Sequence, residues 1–160
     1  FVRIALAAEA DLLGMLAAFL TGMGAEVVCA ISPAKSESLA SLPVARVIVG
    51  DLEDLENEAQ AAGARLLIAN SHAVDSARRL GIPLLRAGFP QYDFLGGYAR
   101  TWVGYRGTRQ TLFDLANLIL EQHHELEPYR SRYWNVARTQ AGSGQSDVGA
   151  PAAAGLVAQG

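Results

Sequence analysis

A chain of 160 residues, 51% hydrophobic and 18% charged, has enough apolar material to bury one core and too much to stay disordered in water. No apolar run reaches the roughly 18–20 residues needed to cross a bilayer; the longest, Leu12 to Met23, is flanked by Glu9, Asp11 and Glu26 and reads as a buried helix. The net charge of −3 hides a division: nine acids face three bases over residues 1–63, and ten arginines with no lysine face six acids over 64–140. Such a split suits a domain turned against an oppositely charged neighbour, with solvated faces as the plainer explanation. No basic cluster interleaved with aromatics is present, which excludes a nucleic-acid surface.

The chain opens on Phe1 and enters a strand-like run at once, without a basic leader or a cleavage pattern, so the expectation is a piece of a longer polypeptide. Its one cysteine, Cys29, lies in the apolar stretch Glu26 to Ile31. It reads as a small buried hydrophobe, a usage that suits a reducing cytoplasm.

Val2 to Ala7 is a short apolar run expected as a buried strand. Apolar residues at helical spacing from Leu12 to Met23 follow, stopped by Gly24. Glu26 to Ile31 is a β-branched second strand, Ser36 to Leu42 a short helix after Pro33, and Ala45 to Val49 a third strand. Asp51 is placed to cap an acidic helix through Ala62, with Glu53, Asp54 and Glu56 near the positive end of its dipole. Leu66 to Ala69 is a fourth strand; Asn70 or Ser71 caps a helix through Leu80, and Pro83 to Leu85 is a brief fifth strand. A connection rich in glycine and aromatics, Arg86 to Arg106, leads to the longest helix, expected from Gly107 to His124.

This alternation predicts an α/β fold: a three-layer, Rossmann-like domain over 1–138, with a parallel sheet and right-handed crossovers flanked by helices. From Thr139 the text turns to Gly, Ala, Ser and Gln without periodicity, so 139–160 is expected as a flexible tail.

In such sheets ligands bind beyond the carboxyl ends of the strands. The first loop there, Ala7 to Asp11, has no glycine, whereas a phosphate-cradling turn needs glycines for close backbone approach. Glu9 and Asp11 would also repel phosphate, so dinucleotide binding is disfavoured. Asn70, Ser71 and His72 form the best polar cluster; a serine beside a histidine in sequence makes no nucleophile–base pair, and a helix cap plus a loop histidine is the simpler reading. His123 and His124 point about 100° apart on a helix and do not chelate together. The expectation is therefore no catalytic residue and no metal ligand. The segment Arg86-Ala87-Gly88-Phe89-Pro90-Gln91-Tyr92-Asp93, followed by Gly96-Gly97 and Val103-Gly104-Tyr105-Arg106-Gly107-Thr108, is expected as an interface or ligand-facing loop over that edge. Its candidate residues are Gly88, Phe89, Pro90, Asp93, Tyr105 and Arg106, beside Asn70, Ser71 and His72.

Four stretches in this order, Gly50-Asp51-Leu52-Glu53-Asp54-Leu55, Ile68-Ala69-Asn70-Ser71-His72, Leu84 to Pro90 and Val103 to Thr108, carry a resemblance. Over about residues 2–126 the chain resembles the C-terminal third of a subunit in the nitrogenase component 1 family, among the scaffold subunits that mature the iron–molybdenum cofactor. The acidic GDLEDLE turn and Asn-Ser-His favour the scaffold branch over the catalytic β subunit. The resemblance implies three Rossmann-like domains in the whole subunit, an α2β2-type complex with a NifE-type partner scaffold subunit, and maturation of a cofactor precursor without catalysis by this domain. It also implies iron–sulfur clusters and the precursor in the full complex, held by cysteines of other domains, with no cofactor in this segment; Cys29 matches no such ligand. In the sister α-type subunits the loop comparable to Gly88–Asp93 carries a histidine ligand, and Gly-Phe-Pro-Gln-Tyr-Asp here offers none. A catalytic nitrogenase β subunit or related reductase, and a stand-alone small-molecule-binding Rossmann domain, are the alternatives.

Overall fold

A computed structural model describes residues 2–122. The first strand, β1 (Arg3–Ala7), is followed by α1 (Ala10–Gly22), β2 (Glu26–Ser32), a 3-10 turn at Glu37–Ser41, β3 (Val47–Val49), α2 (Leu52–Ala61) and β4 (Leu66–Ala69). A second 3-10 turn at Ser71–Ala73 leads into α3 (Val74–Leu80), then β5 (Leu84–Arg86), a third 3-10 turn at Gly97–Ala99 and α4 (Gly104–Glu121). All five strands are parallel, in the order β3-β2-β1-β4-β5. This is the expected three-layer Rossmann-like fold, and the strand order reverses between β1 and β4.

The central strands are apolar on both faces because both are covered. Ile4, Leu6, Leu66, Ile68 and Leu85 pack under α1 and α4, against Leu13, Leu16, Leu20 and Leu115. Ala5, Val28, Cys29, Leu67 and Ala69 pack under α2, α3 and the 3-10 turn before α3, against Leu55, Ala59, Ala73 and Ala77. Each fully buried leucine contributes about 1.5–3 kcal/mol relative to an exposed one. A register shift between β1 and β2 at Ile4/Ala5 turns Val28 and Cys29 to the same face, which strict alternation would separate.

Helix α2 starts where the capping pattern places it: the Asp51 carboxylate accepts from Glu53 N and Asp54 N, and Asp54 accepts in return from Asp51 N. Two local expectations are corrected. The helix expected from Asn70 or Ser71 to Leu80 begins as a separate 3-10 turn, because the Ser71 N–H donates to the Pro90 carbonyl at 3.0 Å. Helix α4 begins at Gly104, three residues ahead of the expected Gly107, with Val103 as an N-cap that supplies no side-chain hydrogen bond. Gly107 does not open this helix; it lets it pass close to Thr101 and Trp102, where an added Cβ would sit 2.7 Å from backbone atoms. Along α4, Leu115 is buried while Phe113 and Leu120 are 57% and 63% exposed.

No helix among the described residues is long and apolar enough to cross a membrane. The His123–His124 pair and the expected tail 139–160 lie outside the described residues.

Candidate functional site

At the carboxyl edge on either side of the reversal, β1 runs into Ala8 and Glu9, and β4 into Asn70 and Ser71. Around Ser71 the fold assembles residues far apart in sequence. Asn70 donates through Nδ2 to the Phe89 carbonyl at 3.0 Å, and its Oδ1 accepts the His72 N–H at 3.1 Å. The Ser71 hydroxyl donates to Asp93 Oδ1 and accepts the Tyr92 N–H at 3.2 Å. Arg86, at the end of β5, grips the same Asp93 carboxylate with Nε at 3.0 Å from both oxygens and Nη2 at 2.6 Å from Oδ2. The Gln91 amide donates to the Gly88 carbonyl at 2.9 Å.

These bonds fix the electrostatics. The Arg86 guanidinium, and after it the Ser71 hydroxyl, hold the Asp93 carboxyl down at about 2, so it is an anion near neutral pH. Ser71 is 1% exposed and its proton is committed to that carboxylate. A serine held this way is a tie, because the carboxylate it donates to is itself gripped by Arg86 and held down at about 2, too weak a base to make it a nucleophile. The His72 ring lies edge-on to Tyr92, centroids 5.5 Å apart, with the tyrosine hydroxyl 3.4 Å from Nδ1.

Gly88 has φ +76, where side chains are strained, and its missing Cβ leaves room for Leu12 of α1. The Phe89-Pro90 peptide is cis. The far end of the connection is tied by Arg100, whose guanidinium lies 2.8 Å from Asp114 of α4 and 4.2 Å from the Trp102 ring centroid. Between these anchors the apolar side chains turn outward: Phe89 is 75% exposed, Leu95 99%, and Tyr92, Phe94 and Tyr98 are exposed too.

Six of the nine sequence candidates, Asn70, Ser71, His72, Phe89, Pro90 and Asp93, thus meet in one cluster, with Gly88 at its hinge. Tyr105 and Arg106 do not join it. They are exposed in the first turn of α4, and no described side-chain hydrogen bond or ion pair links them to the others. Sequence reasoning left Arg86, Gln91 and Tyr92 off the candidate set, although Arg86 organises the cluster. A strand-end arginine seven residues before an aspartate has no periodic signal, and only the fold brings the two together.

No group of three or more His, Cys, Asp or Glu among the described residues is arranged to hold a metal ion. Cys29 is fully buried, and burial, with Glu58 nearby, pushes its thiol up to about 11.

The family model for the nitrogenase component 1 type oxidoreductase matches residues 2–120. The chain is 50% identical over 129 residues to the nitrogenase iron-molybdenum cofactor biosynthesis protein NifN of Klebsiella pneumoniae, covering 81% of this chain and 28% of that protein. It is 49% identical over 120 residues to NifN of Rippkaea orientalis, covering 75% and 26%. A solved structure of nitrogenase Cp1 at pH 6.5 superposes with a TM-score of 0.71 and 27% identity, covering 81% of this chain and 32% of that one. The chain therefore spans about a quarter of the length of these curated relatives. It belongs to the nitrogenase component 1 type oxidoreductase family.

Proposed function

We propose that this domain is part of a scaffold subunit on which the iron–molybdenum cofactor precursor is matured, and that it contributes a protein-contact surface there, with no catalytic or ligand-holding group of its own. The names of the relatives supply the process, cofactor biosynthesis. The observation that carries the domain's role is the closed polar lattice at the sheet's reversal. Asn70, Ser71, Arg86 and Asp93 spend their donors and acceptors on one another and on the loop backbone. What they present outward is apolar and aromatic, from Phe89 to Tyr98. Exposed apolar patches of this kind mark surfaces that other protein covers.

In this reading the full-length subunit acts in the cytoplasm with a NifE-type partner scaffold subunit in an α2β2-type complex, and iron–sulfur cluster and precursor are bound by other parts of that complex. Phe89, Pro90 and Tyr92 dock, while Ser71, Asp93 and Arg86 hold them in place. The test is co-purification of the full-length subunit with its partner. Phe89→Ala should weaken assembly by about 2 kcal/mol, as aromatic anchors do, while the thermal midpoint of the domain stays put. Unchanged assembly, or a collapsed midpoint, would refute the docking role.

The likeness to nitrogenase Cp1 supports a second reading, the counterpart domain of a catalytic subunit. Complementation decides between them. The full-length gene should restore cofactor maturation to a strain lacking the scaffold subunit and should fail to replace the catalytic β subunit.

A further inference from the structure

Strand β5 is an edge of the sheet, and its free side is the floor of a groove. In the parallel ladder with β4, the Leu67 N–H donates to the Pro83 carbonyl at 3.0 Å and the Ala87 N–H donates to the Ala69 carbonyl at 2.8 Å. Backbone groups alternate in direction along a strand, so both groups of Leu85 also face β4. The N–H and C=O of Leu84 and Arg86 point the other way, and no hydrogen bond among the described residues reaches them. Four unpaired backbone groups along one edge are a template for a further strand. The one charge on β5, Arg86, is committed to Asp93 and does not guard that edge.

The helices covering the two faces of the sheet rise on either side of this edge. Val74, Ala77 and Arg78 of α3 form one wall, and Leu118, Glu121 and Gln122 at the end of α4 form the other, around a space of about 480 Å3. Gln122 Nε2 donates to the Arg65 carbonyl at 3.1 Å, which ties the second wall to the turn before β4. An added strand turns successive side chains to opposite faces, so one residue meets the α3 wall and the next meets the α4 wall. The walls differ in charge. Arg78, its side chain 76% exposed, has only the exposed Asp75 beside it, at 3.0 Å. Glu121 is exposed and makes no ion pair among the described residues. The rest of the lining is largely apolar, with Val74, Ala77, Leu84 and Leu118.

We propose that the open edge of β5 is a strand-addition site, which takes an extended peptide segment of a partner protein into the groove. The segment carries an acidic side chain toward Arg78, a basic neighbour toward Glu121, and apolar residues on either side. Hydrogen bonds to the backbone of Leu84 and Arg86 supply affinity, and the two walls supply selection. The contact is made by a strand edge and stands independently of the docking role of Phe89, Pro90 and Tyr92.

Amide exchange of the full chain, followed residue by residue by NMR, tests it with a synthetic peptide of alternating valine and threonine that has an adjacent lysine and aspartate at its centre. In the chain alone, the Leu84 and Arg86 amides should exchange faster than those of Leu85 and Ala87. Peptide at about ten times its dissociation constant should slow the first two roughly tenfold and leave the second two unchanged. Of two peptides methylated on alternate backbone nitrogens, one should bind and the other fail. Arg78→Glu, on an exposed side chain, should weaken binding roughly two- to fivefold, and a peptide with lysine in place of the aspartate should regain the loss. Leu84 and Arg86 amides already slow in the chain alone would show the edge covered from within, and slowing that grows with chain concentration would assign it to a second copy. Either result, an absence of peptide binding, binding indifferent to methylation, or a charge exchange without effect would overturn the proposal.

Discussion

Two connections leave the same edge of the sheet on either side of its reversal, and they are built in opposite ways. The β1–α1 turn is two residues, Ala8 and Glu9, with no glycine and no side-chain cap; packing of α1 on the sheet places it. The β5–α4 connection runs over residues 87–103 and is placed by polar ties, Arg86–Asp93–Ser71 at one end and Arg100–Asp114 at the other. At the position where related folds cradle phosphate, this domain has a bare turn beside a loop tied at both ends, with outward-facing aromatics. The difference teaches that the polar groups at a sheet's carboxyl edge can be consumed internally, in tying down a loop.

The contrast can be broken by mutation, beginning with the layer beneath both loops. Leu6→Ala, in the fully buried end of β1, should cost about 2–5 kcal/mol in urea unfolding and loosen both connections together. Ser71→Ala should cost less, about 1–3 kcal/mol, because it strips the buried hydroxyl from Asp93 and from the Tyr92 N–H. Its effect should be confined to the longer connection, read as faster amide exchange at 88–95 with no change in the β1–α1 turn. If both loops loosen equally, the lattice is not what places the aromatic one.

Acid should separate the loops in the same sense. Asp93 titrates at about 2 in the fold against 3.8 when free. Its depressed value means that the carboxylate's contribution is whole above about pH 4 and is lost as pH falls toward 2. Limited proteolysis across that window should open the 87–103 connection ahead of the rest, and Asp93→Asn should remove the acid sensitivity. The smallest effect is expected at the exposed tip, where Phe89→Ala should leave stability within about 0.5 kcal/mol of wild type. A larger loss would show Phe89 to be a packing residue.

Much of this was readable in the sequence. Every strand is an apolar run bounded by turn residues, and the Asp51 cap follows from carboxylates at the right spacing. Reading failed where a residue's role depends on a distant neighbour. Gly107 looked like a helix start and is a point of close approach to Thr101. Ser71 looked like a helix cap and is a tie to Asp93, 22 residues away. Phe113 and Leu120 are exposed beside the buried Leu115, a difference that periodicity, which reports spacing without telling which face is covered, does not carry. Ser71, Asp93 and Phe89 stood out as candidates from their types alone; that Arg86 joins the first two is a property of strand order, which no local pattern encodes.

Metal analysis of the purified chain after anaerobic reconstitution with ferrous iron and sulfide bears most directly on the claim that this edge holds protein and no ligand. The chain should bind only trace iron and show no cluster absorption, in wild type and in His72→Ala alike. A whole cluster per chain, lost on replacing His72 or Cys29, would contradict it.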